Sequence, residues 1–163
     1  EVNAPSEALS LLSRRIQRAL KQDQNNSVDG MDMALCAVNT KTYEMEYSGA
    51  NNPCYILRDG ELIELKPTRD SIAGGGRNLN KTFNLEVVQL QKGDQVYLFS
   101  DGYLDQFGGE KDRKLGKKGF RELILKIHGQ SFPDQKKRLI KHFNQWRRNN
   151  KQIDDICIIG LKF

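Results

Sequence analysis

The sequence predicts an α+β domain, in which antiparallel strands form layers with helices at the start and near the end of the chain. Apolar residues recur at helical spacing near the N-terminus and again in the last third of the chain. In the region between these two stretches, the pattern of apolar residues is typical of β-strands. With 163 residues and 37% hydrophobic content, the chain has the length of one ordinary hydrophobic core. We therefore expect residues 1–163 to form a single domain.

The first predicted helix covers residues 5–20. Its apolar residues are three or four positions apart, as one face of a helix requires: Leu9, Leu12, Ile16 and Leu20. Pro5 suits the first turn of a helix, where the N–H that proline lacks has no intrahelical partner. A polar stretch at 21–30 then ends the helical pattern.

Strand patterns follow at residues 31–39, 42–49, 54–58, 61–65, 83–91 and 94–100. Asp59-Gly60, between the third and fourth strands, suits the positive φ angles of a tight hairpin. Lys92-Gly93 predicts another hairpin, between the last two strands. Residues 66–81 lack periodicity and contain three consecutive glycines, which favours a mobile loop between the two groups of strands.

Two further helices and a last strand complete the predicted fold. Apolar residues at helical spacing cover 119–129 and 132–149, and residues 156–163 return to a strand pattern. If this last strand pairs with the strand at 94–100, residues more than fifty positions apart in the sequence reach the same edge of a sheet.

The sequence contains no membrane or secretion signal. No apolar run approaches the roughly 20 residues of a membrane-spanning helix, and the N-terminal residues lack the basic and apolar regions of a signal peptide. The three cysteines, Cys36, Cys54 and Cys157, lie far apart in apolar runs with no histidine near them. This pattern favours buried thiols in a reducing compartment over a disulfide framework. We therefore expect a soluble, cytoplasmic region.

The net charge of +5 conceals an uneven distribution. Residues 111–151 contain 14 Lys or Arg against 3 Asp or Glu, so this segment carries a net charge of +11 and the remainder carries −6. One interpretation is the solvated face of an amphipathic helix. Another is a patch that attracts phosphoryl groups, acidic proteins or nucleic acid. The segment has no recognised nucleic-acid-binding motif, and its charged face lacks interleaved aromatic residues, so we expect no nucleic-acid partner.

Two acidic motifs border the strands that we expect to pair. Asp101 follows the strand at 94–100, and Gly102 after it leaves space around the carboxylate. Asp154 and Asp155 directly precede the last strand. Antiparallel pairing therefore places both motifs at the same end of the sheet.

Three carboxylates at one place repel each other unless a cation joins them, because like charges oppose ionisation. Oxygen ligands without a nearby His or Cys favour Mg²⁺ or Mn²⁺ over zinc. Pairs of such ions about 4 Å apart activate water for attack on a phosphoryl group. Asp-Gly is also a common turn, and Asp-Asp can be a solvated connection to a strand. The spacing alone leaves both interpretations open.

Five motifs occur in an order that points to one family: DGMDMAL, YSGANNPCYILRDGE, KGD, SDG and DDIC. From about Asp29 to Phe163, the chain resembles the C-terminal part of the catalytic domain of a SpoIIE/RsbU-type serine phosphatase, a branch of the protein phosphatase 2C (PPM) superfamily. The resemblance implies an antiparallel β-sandwich flanked by helices, in α-β-β-α layers. It also implies hydrolysis of phosphoserine or phosphothreonine in a regulatory protein, such as an anti-sigma-factor antagonist in bacterial signalling.

The resemblance implies roles for five residues. Asp101 in the SDG motif and Asp154 at the start of the DDIC motif match metal ligands, and these two aspartates carry the catalytic role. Gly102, Asp105 and Asp155 match positions that support the site without binding metal directly. The expected cofactor is a pair of Mn²⁺ or Mg²⁺ ions in the complete domain.

The chain departs from the family pattern in two ways. Ala50, Asn52 and Cys157 stand where the family often has His, Pro and Thr, and none of these changes removes a metal ligand. The Gly-Gly-Asp strand and the Asp-Gly-His-Gly turn, which each supply a metal-binding aspartate in the family, do not occur in the sequence. We therefore expect an N-terminally truncated catalytic domain with weak metal affinity, little turnover by itself, and an upstream sensor or regulatory domain.

A second function is compatible with the same sequence. The chain could be a non-catalytic, phosphatase-like interaction module, whose basic helix from Pro133 to Lys151 recruits an acidic or phosphorylated partner protein. Absence of both missing aspartate motifs from the natural gene product would favour this module.

Overall fold

The computed structural model describes residues 2–24, 27–74 and 80–163. The chain divides into two compact units, which we call unit 1 (Glu1–Cys54 and Glu64–Lys92) and unit 2 (Tyr55–Ile63 and Gly93–Phe163). The architecture is mixed α+β with antiparallel strand pairs, which confirms the predicted fold class. The single domain expected for residues 1–163 stays a prediction. No helix within the described ranges is long and apolar enough to cross a membrane.

In chain order, the elements are α1 (Pro5–Ala19), β1 (Gly30–Met31), β2 (Met33–Val38), β3 (Glu44–Ala50), β4 (Cys54–Arg58), β5 (Glu61–Leu65), β6 (Ile72–Ala73), β7 (Glu86–Gln89), β8 (Gln95–Phe99), α2 (Gly102–Asp105), β9 (Phe107–Gly108), β10 (Arg113–Lys114), α3 (Gly116–Ile127), α4 (Phe132–Arg147) and β11 (Ile158–Lys162). The larger sheets have the strand orders β2-β3-β7 and β11-β8-β4-β5. The two-residue strands pair as β1 with β6 and β9 with β10.

Unit 1 is built around the first helix and the β2-β3-β7 sheet. The helix α1 confirms the predicted helix, and its Leu9 is buried. Leu20 is exposed, contrary to the predicted apolar stripe, because the helix ends one residue before it. The core of this unit contains Leu9, Ala50, Ile72 and Phe83.

Unit 2 has the larger aromatic core. Helices α3 and α4 confirm the two predicted C-terminal helices. Tyr55, Phe99 and Phe120 are in mutual contact, with ring centroids 4.7–6.3 Å apart. The buried members of this core are Tyr55, Leu57, Tyr97, Phe99, Tyr103, Leu104, Phe120, Leu123, Ile124, Ile127, Leu139 and Phe143.

The last strand pairs with β8, as the sequence predicts. β11 runs antiparallel to β8 in a register from Ile158 opposite Phe99 to Lys162 opposite Gln95. This pairing sets the end of β8 beside the start of β11. The residues that follow β8 therefore lie next to those that precede β11.

The predicted hairpin between residues 83–91 and 94–100 is wrong. β7 pairs with β3, whereas β8 lies between β11 and β4 in another sheet. Burial explains the difference, because four of the five residues of β8 are buried while three of the four residues of β7 are exposed. A buried strand needs a neighbour on each side, and an exposed strand can lie at a sheet edge.

The predicted loop at 66–81 is partly ordered by hydrogen bonds. Its β6 segment pairs with β1. Lys81 Nζ donates to Asp70 Oδ1 at 2.6 Å and to the carbonyl oxygens of Ser71 and Ala73 at 3.1 and 2.5 Å. Residues 75–79, which include two of the three consecutive glycines, lie outside the described residues.

The cysteines only partly follow the prediction of buried thiols. Cys54 is buried and Cys36 is half-buried, but Cys157 is exposed. Cys157 precedes β11, which is an edge strand with four exposed residues out of five, so its apolar sequence does not imply a buried position. The Cys54 thiol donates a hydrogen bond to Cys36, and this bond lowers the pKa of the Cys36 thiol.

Candidate functional site

The candidate site lies in unit 2, at the end of β8. β8 ends at Phe99, and the chain continues through Ser100 to Asp101, the residue that precedes helix α2. Asp101 is exposed, whereas the next three residues, Gly102 to Leu104, are buried. The buried part of α2 therefore anchors the backbone that carries the Asp101 carboxylate.

Ser100 joins the end of β8 to the acidic segment that precedes β11. Its backbone N–H donates to the Cys157 carbonyl oxygen at 3.0 Å, which extends the β8–β11 ladder by one residue. The Ser100 hydroxyl donates to the Asp155 carbonyl oxygen at 3.1 Å and accepts from the Cys157 N–H at 3.0 Å. These three hydrogen bonds hold the Asp154–Asp155 segment beside Asp101.

Gly102 allows the two segments to come close together. A Cβ atom at this position would overlap the Asp155 carbonyl oxygen and would lie 3.3 Å from the Asp154 carbonyl carbon. The glycine after Asp101 therefore meets a steric requirement, because only a residue without a side chain leaves space for the backbone of residues 154–155.

Asp154 and Asp155 are both exposed. The Asp155 N–H donates to Asp154 Oδ1 at 2.7 Å, so one carboxylate oxygen of Asp154 is oriented by the backbone of its neighbour. The Gln152 side chain donates to the Asp154 carbonyl oxygen at 2.8 Å. These bonds fix the turn that presents the two carboxylates before β11 begins.

Asp105, at the other end of α2, is engaged elsewhere. Its Oδ2 accepts a hydrogen bond from Lys114 Nζ at 2.7 Å, and both side chains are partly exposed. The structure thus brings together the backbones that carry Asp101, Gly102, Asp154 and Asp155, and it pairs the Asp105 carboxylate with a lysine of β10.

Tyr103 anchors α2 to α4 and to the aromatic core of unit 2. Its hydroxyl donates to the Leu139 carbonyl oxygen of α4 at 2.9 Å, and its ring lies in the aromatic core 5.4 Å from Phe120. Burial raises the pKa of Tyr103, so the phenol stays protonated and keeps this hydrogen bond. α2 is therefore tied to α4 two residues after Asp101.

The carboxylates fit a hard divalent cation by chemistry. Aspartate oxygens are ligands that Mg²⁺ and Mn²⁺ prefer. Within residues 2–24, 27–74 and 80–163, however, no three His, Cys, Asp or Glu side chains are grouped closely enough to hold a metal ion. The carboxylates of Asp101 and Asp154 are thus suitable donors for such a metal ion, but the described residues do not supply a third ligand beside them.

The sequence interpretation missed the role of Ser100. A serine directly before an Asp-Gly pair at a strand end was a usable signal, because its hydroxyl can bond the backbone of a neighbouring strand after the ladder ends. The prediction assigned roles to four aspartates and to Gly102, and gave none to Ser100.

Comparison with known proteins agrees with the fold. The family model described as Stage II sporulation protein E (SpoIIE) matches residues 1–163. The structure is similar to the SiaA-PP2C domain of Pseudomonas aeruginosa, at 27% identity and a TM-score of 0.86, over 98% of this chain and 61% of that one. The chain thus spans about three fifths of the SiaA domain. The sequence has no match among curated proteins.

Two more distant structures share the fold. One is the phosphatase domain of the cell fate determinant SpoIIE from Bacillus subtilis (Mn presoaked), at 13% identity and a TM-score of 0.57, over 80% of this chain and 56% of that one. The other is RsbX in complex with magnesium, at 13% identity and a TM-score of 0.53, over 94% of this chain and 70% of that one. With a family match over its whole length and the fold of PP2C phosphatase domains, the chain belongs to the SpoIIE family.

Proposed function

We propose that the chain provides the Asp101 and Asp154 ligands of a metal-dependent serine/threonine phosphatase, which removes phosphate from a regulatory phosphoprotein in the bacterial cytoplasm. The observation that carries this proposal is the pairing of β8 with β11, which sets the Asp101 and Asp154 backbones side by side. Membership of the SpoIIE family and similarity to a PP2C domain support the phosphatase chemistry.

Mn²⁺ or Mg²⁺ is the cofactor that the proposal requires. Two structures that share this fold are the SpoIIE phosphatase domain presoaked with Mn and RsbX in complex with magnesium. Such an ion, when bound, neutralises phosphoryl oxygens and lowers the pKa of water. The motifs that give two further aspartates in the family pattern do not occur in these 163 residues, so we expect the chain by itself to bind metal weakly.

The protein contributes position and charge. Asp101 presents its carboxylate from a backbone held by the buried start of α2, and Asp154 presents its carboxylate from a turn held by Ser100 and Gln152. Asp155 supports Asp154 through its backbone N–H. These contacts are made without a ligand, so under this proposal the backbone segments that carry the two acids are preorganised for a shared cation.

The test has a binding arm and an activity arm. Mn²⁺ binding to the 163-residue chain is measured by calorimetry for the wild type, Asp101→Asn and Asp154→Asn. Hydrolysis of a small aryl phosphate is then measured with the natural polypeptide that contains these residues. We expect each substitution to weaken Mn²⁺ binding and to lower kcat/KM at least roughly 100-fold, because a ligand to the catalytic ion is lost.

Asp112→Asn is the matched control. Asp112 is an exposed aspartate of the same unit, its side chain accepts a hydrogen bond from Asn150, and its positive φ of 43° is tolerated by asparagine. This variant should retain wild-type metal binding and activity. Wild-type activity in Asp101→Asn and Asp154→Asn would contradict the proposal.

The interaction module is the less favoured candidate, because the family and structural matches are to phosphatase domains, and the same experiment separates the two. It rests on the basic residues of α4, which are mostly exposed. A natural polypeptide that shows no metal-dependent hydrolysis of the aryl phosphate, while it still binds an acidic partner, would favour the module over the phosphatase.

A further inference from the structure

Helices α3 and α4 of unit 2 border a cleft with a volume of about 570 Å³. Its walls carry basic side chains from two elements: Arg113 and Lys114 on β10, and Lys118 and Lys126 on α3. Glu122 is the acidic residue that lines it among the described residues. The cleft is therefore positively charged on balance.

The ion pairs in the cleft leave most of this positive charge in place. Lys114 is neutralised by Asp105, at 2.7 Å. Lys118 and Glu122 are 4.0 Å apart, with side chains 90% and 66% exposed, and such a solvated pair contributes little. Arg113 and Lys126 add two further positive charges, and both residues are exposed.

Aromatic rings form part of the cleft wall. His142 and Trp146, one turn apart on α4, are stacked with ring centroids 6.3 Å apart and planes 14° from parallel. Burial lowers the pKa of His142, and the charge of Lys126 lowers it further. The α4 wall therefore offers an imidazole and an indole as apolar contact area in a cleft that also contains lysines of α3.

The cleft is connected to the candidate metal site through α2. Tyr103, two residues after Asp101, stacks on His142 with ring centroids 6.3 Å apart. Asp105, at the end of the same short helix, binds Lys114 on the cleft wall. A polypeptide held in this cleft would consequently lie close to the helix that follows Asp101.

We propose that this basic cleft docks an acidic segment of the phosphoprotein substrate, so that the residues around the phosphorylated side chain are held beside the Asp101 site. The proposal rests on the proposed phosphatase function and names the class of substrate that the site takes. Charge complementarity selects the occupant, because a segment rich in Asp and Glu matches the basic walls of the cleft.

The single tryptophan of the sequence makes the cleft directly observable. Trp146 lies on the wall, so its fluorescence reports occupancy without a label. A phosphoserine peptide flanked by Asp and Glu is titrated into the 163-residue chain at low salt. We expect a saturable change in Trp146 fluorescence, which a neutral peptide of the same length does not produce, and weaker binding at higher salt.

Charge reversal on the cleft walls tests the assignment. Arg113→Glu with Lys126→Glu should weaken peptide binding on the order of tenfold or more, because attraction becomes repulsion. Both residues are exposed, so the core is unaffected, and a circular dichroism melt verifies the fold. Lys162→Glu is the matched control, since this exposed lysine lies opposite Gln95, at the far end of the β8–β11 pair from Asp101, and should bind like the wild type.

Two outcomes would overturn the docking proposal. One is unchanged peptide affinity in the Arg113 and Lys126 double variant. The other is a Trp146 response to a single-stranded oligonucleotide with none to the peptide, which would make nucleic acid the occupant. Failure of the phosphatase function has a different signature: the peptide still binds, but the natural polypeptide hydrolyses neither the peptide nor a small aryl phosphate.

Discussion

The two ends of β8 hold aspartates in opposite situations. Before the strand, the side chain of Asp94 is 1% exposed, and Arg58 binds both of its carboxylate oxygens, with Nε–Oδ1 at 3.0 Å and Nη2–Oδ2 at 2.7 Å. After the strand, Asp101 is exposed, and so is Asp154, which precedes the paired strand β11. The difference shows that a carboxylate neutralised inside the protein stabilises the fold, whereas the carboxylates of Asp101 and Asp154 lie on adjacent backbone segments and are exposed to solvent.

The largest expected effect on stability comes from Gly102→Ala, at the Asp101 end. The new methyl group would overlap the Asp155 carbonyl oxygen, so the Asp154–Asp155 backbone has to move. We expect a loss of about 3 kcal/mol in the free energy of unfolding, from urea titration. Gly129→Ala is the control, because a Cβ there meets no atom within 4 Å. Equal stability of the two variants would contradict the close contact between Gly102 and the backbone of residues 154–155.

Asp94→Asn tests the other end of the strand. The substitution leaves the Arg58 guanidinium without its charged partner, but that side chain is 23% exposed and partly hydrated. We therefore expect a loss of about 2–3 kcal/mol in unfolding free energy, less than for a fully buried pair. Asp59→Asn removes a charge beside Arg58 at an exposed turn position with a φ of 50°, and it should cost far less. An Asp94→Asn variant with the unfolding free energy of the wild type would show that this ion pair does not stabilise the fold.

Ser100→Ala sharpens the account of the Asp101 end. The variant loses the side-chain hydrogen bonds to Asp155 and Cys157, so we expect about 1–2 kcal/mol lower stability in thermal or urea unfolding. It should also weaken Mn²⁺ binding, because the Asp154–Asp155 turn is no longer tied to β8. Ser10→Ala is the control, since that hydroxyl donates to the Ser6 carbonyl oxygen of its own helix. Unchanged metal binding would leave Ser100 a purely structural role.

The smallest expected effect on stability comes from Asp134, an exposed aspartate in the first turn of α4. The Ser131 hydroxyl donates to Asp134 Oδ2 at 2.6 Å, and this hydrogen bond lowers the pKa of Asp134 below its ordinary value. The nearby Lys137 ammonium lowers the pKa further. A lowered folded-state pKa means that the stabilisation is complete above the ordinary pKa and is lost as the pH falls through the folded value. Asp134→Asn should therefore reduce stability at pH 7, and the difference should shrink as the pH falls below the ordinary pKa of aspartate. A pH-independent difference between the two proteins would contradict this explanation.

The sequence predicts the strands and helices that have strong periodicity. α1, α3 and α4 follow from the spacing of apolar residues, because each of these helices has to bury one face. The partners of β7 could not be predicted, since a short turn such as Lys92-Gly93 is compatible with a hairpin and with a change of sheet. Only the burial of β8 distinguishes them.

The candidate site was predictable in its acids and less so in its supporting groups. Asp101 and Asp154 are identified by position, because both border the same pair of strands. The contact of Lys114 with Asp105 depends on the two-residue strands β9 and β10, which are too short to show any periodicity. The Ser100 bridge depends on a register that only the folded pair reveals.

The most direct test of the central claim is a crystal structure of the chain soaked with Mn²⁺, in which anomalous scattering locates the metal. We expect an ion within coordination distance of both the Asp101 and the Asp154 carboxylates. An ion bound to neither aspartate, or carboxylates directed to separate places with no ion between them, would contradict it.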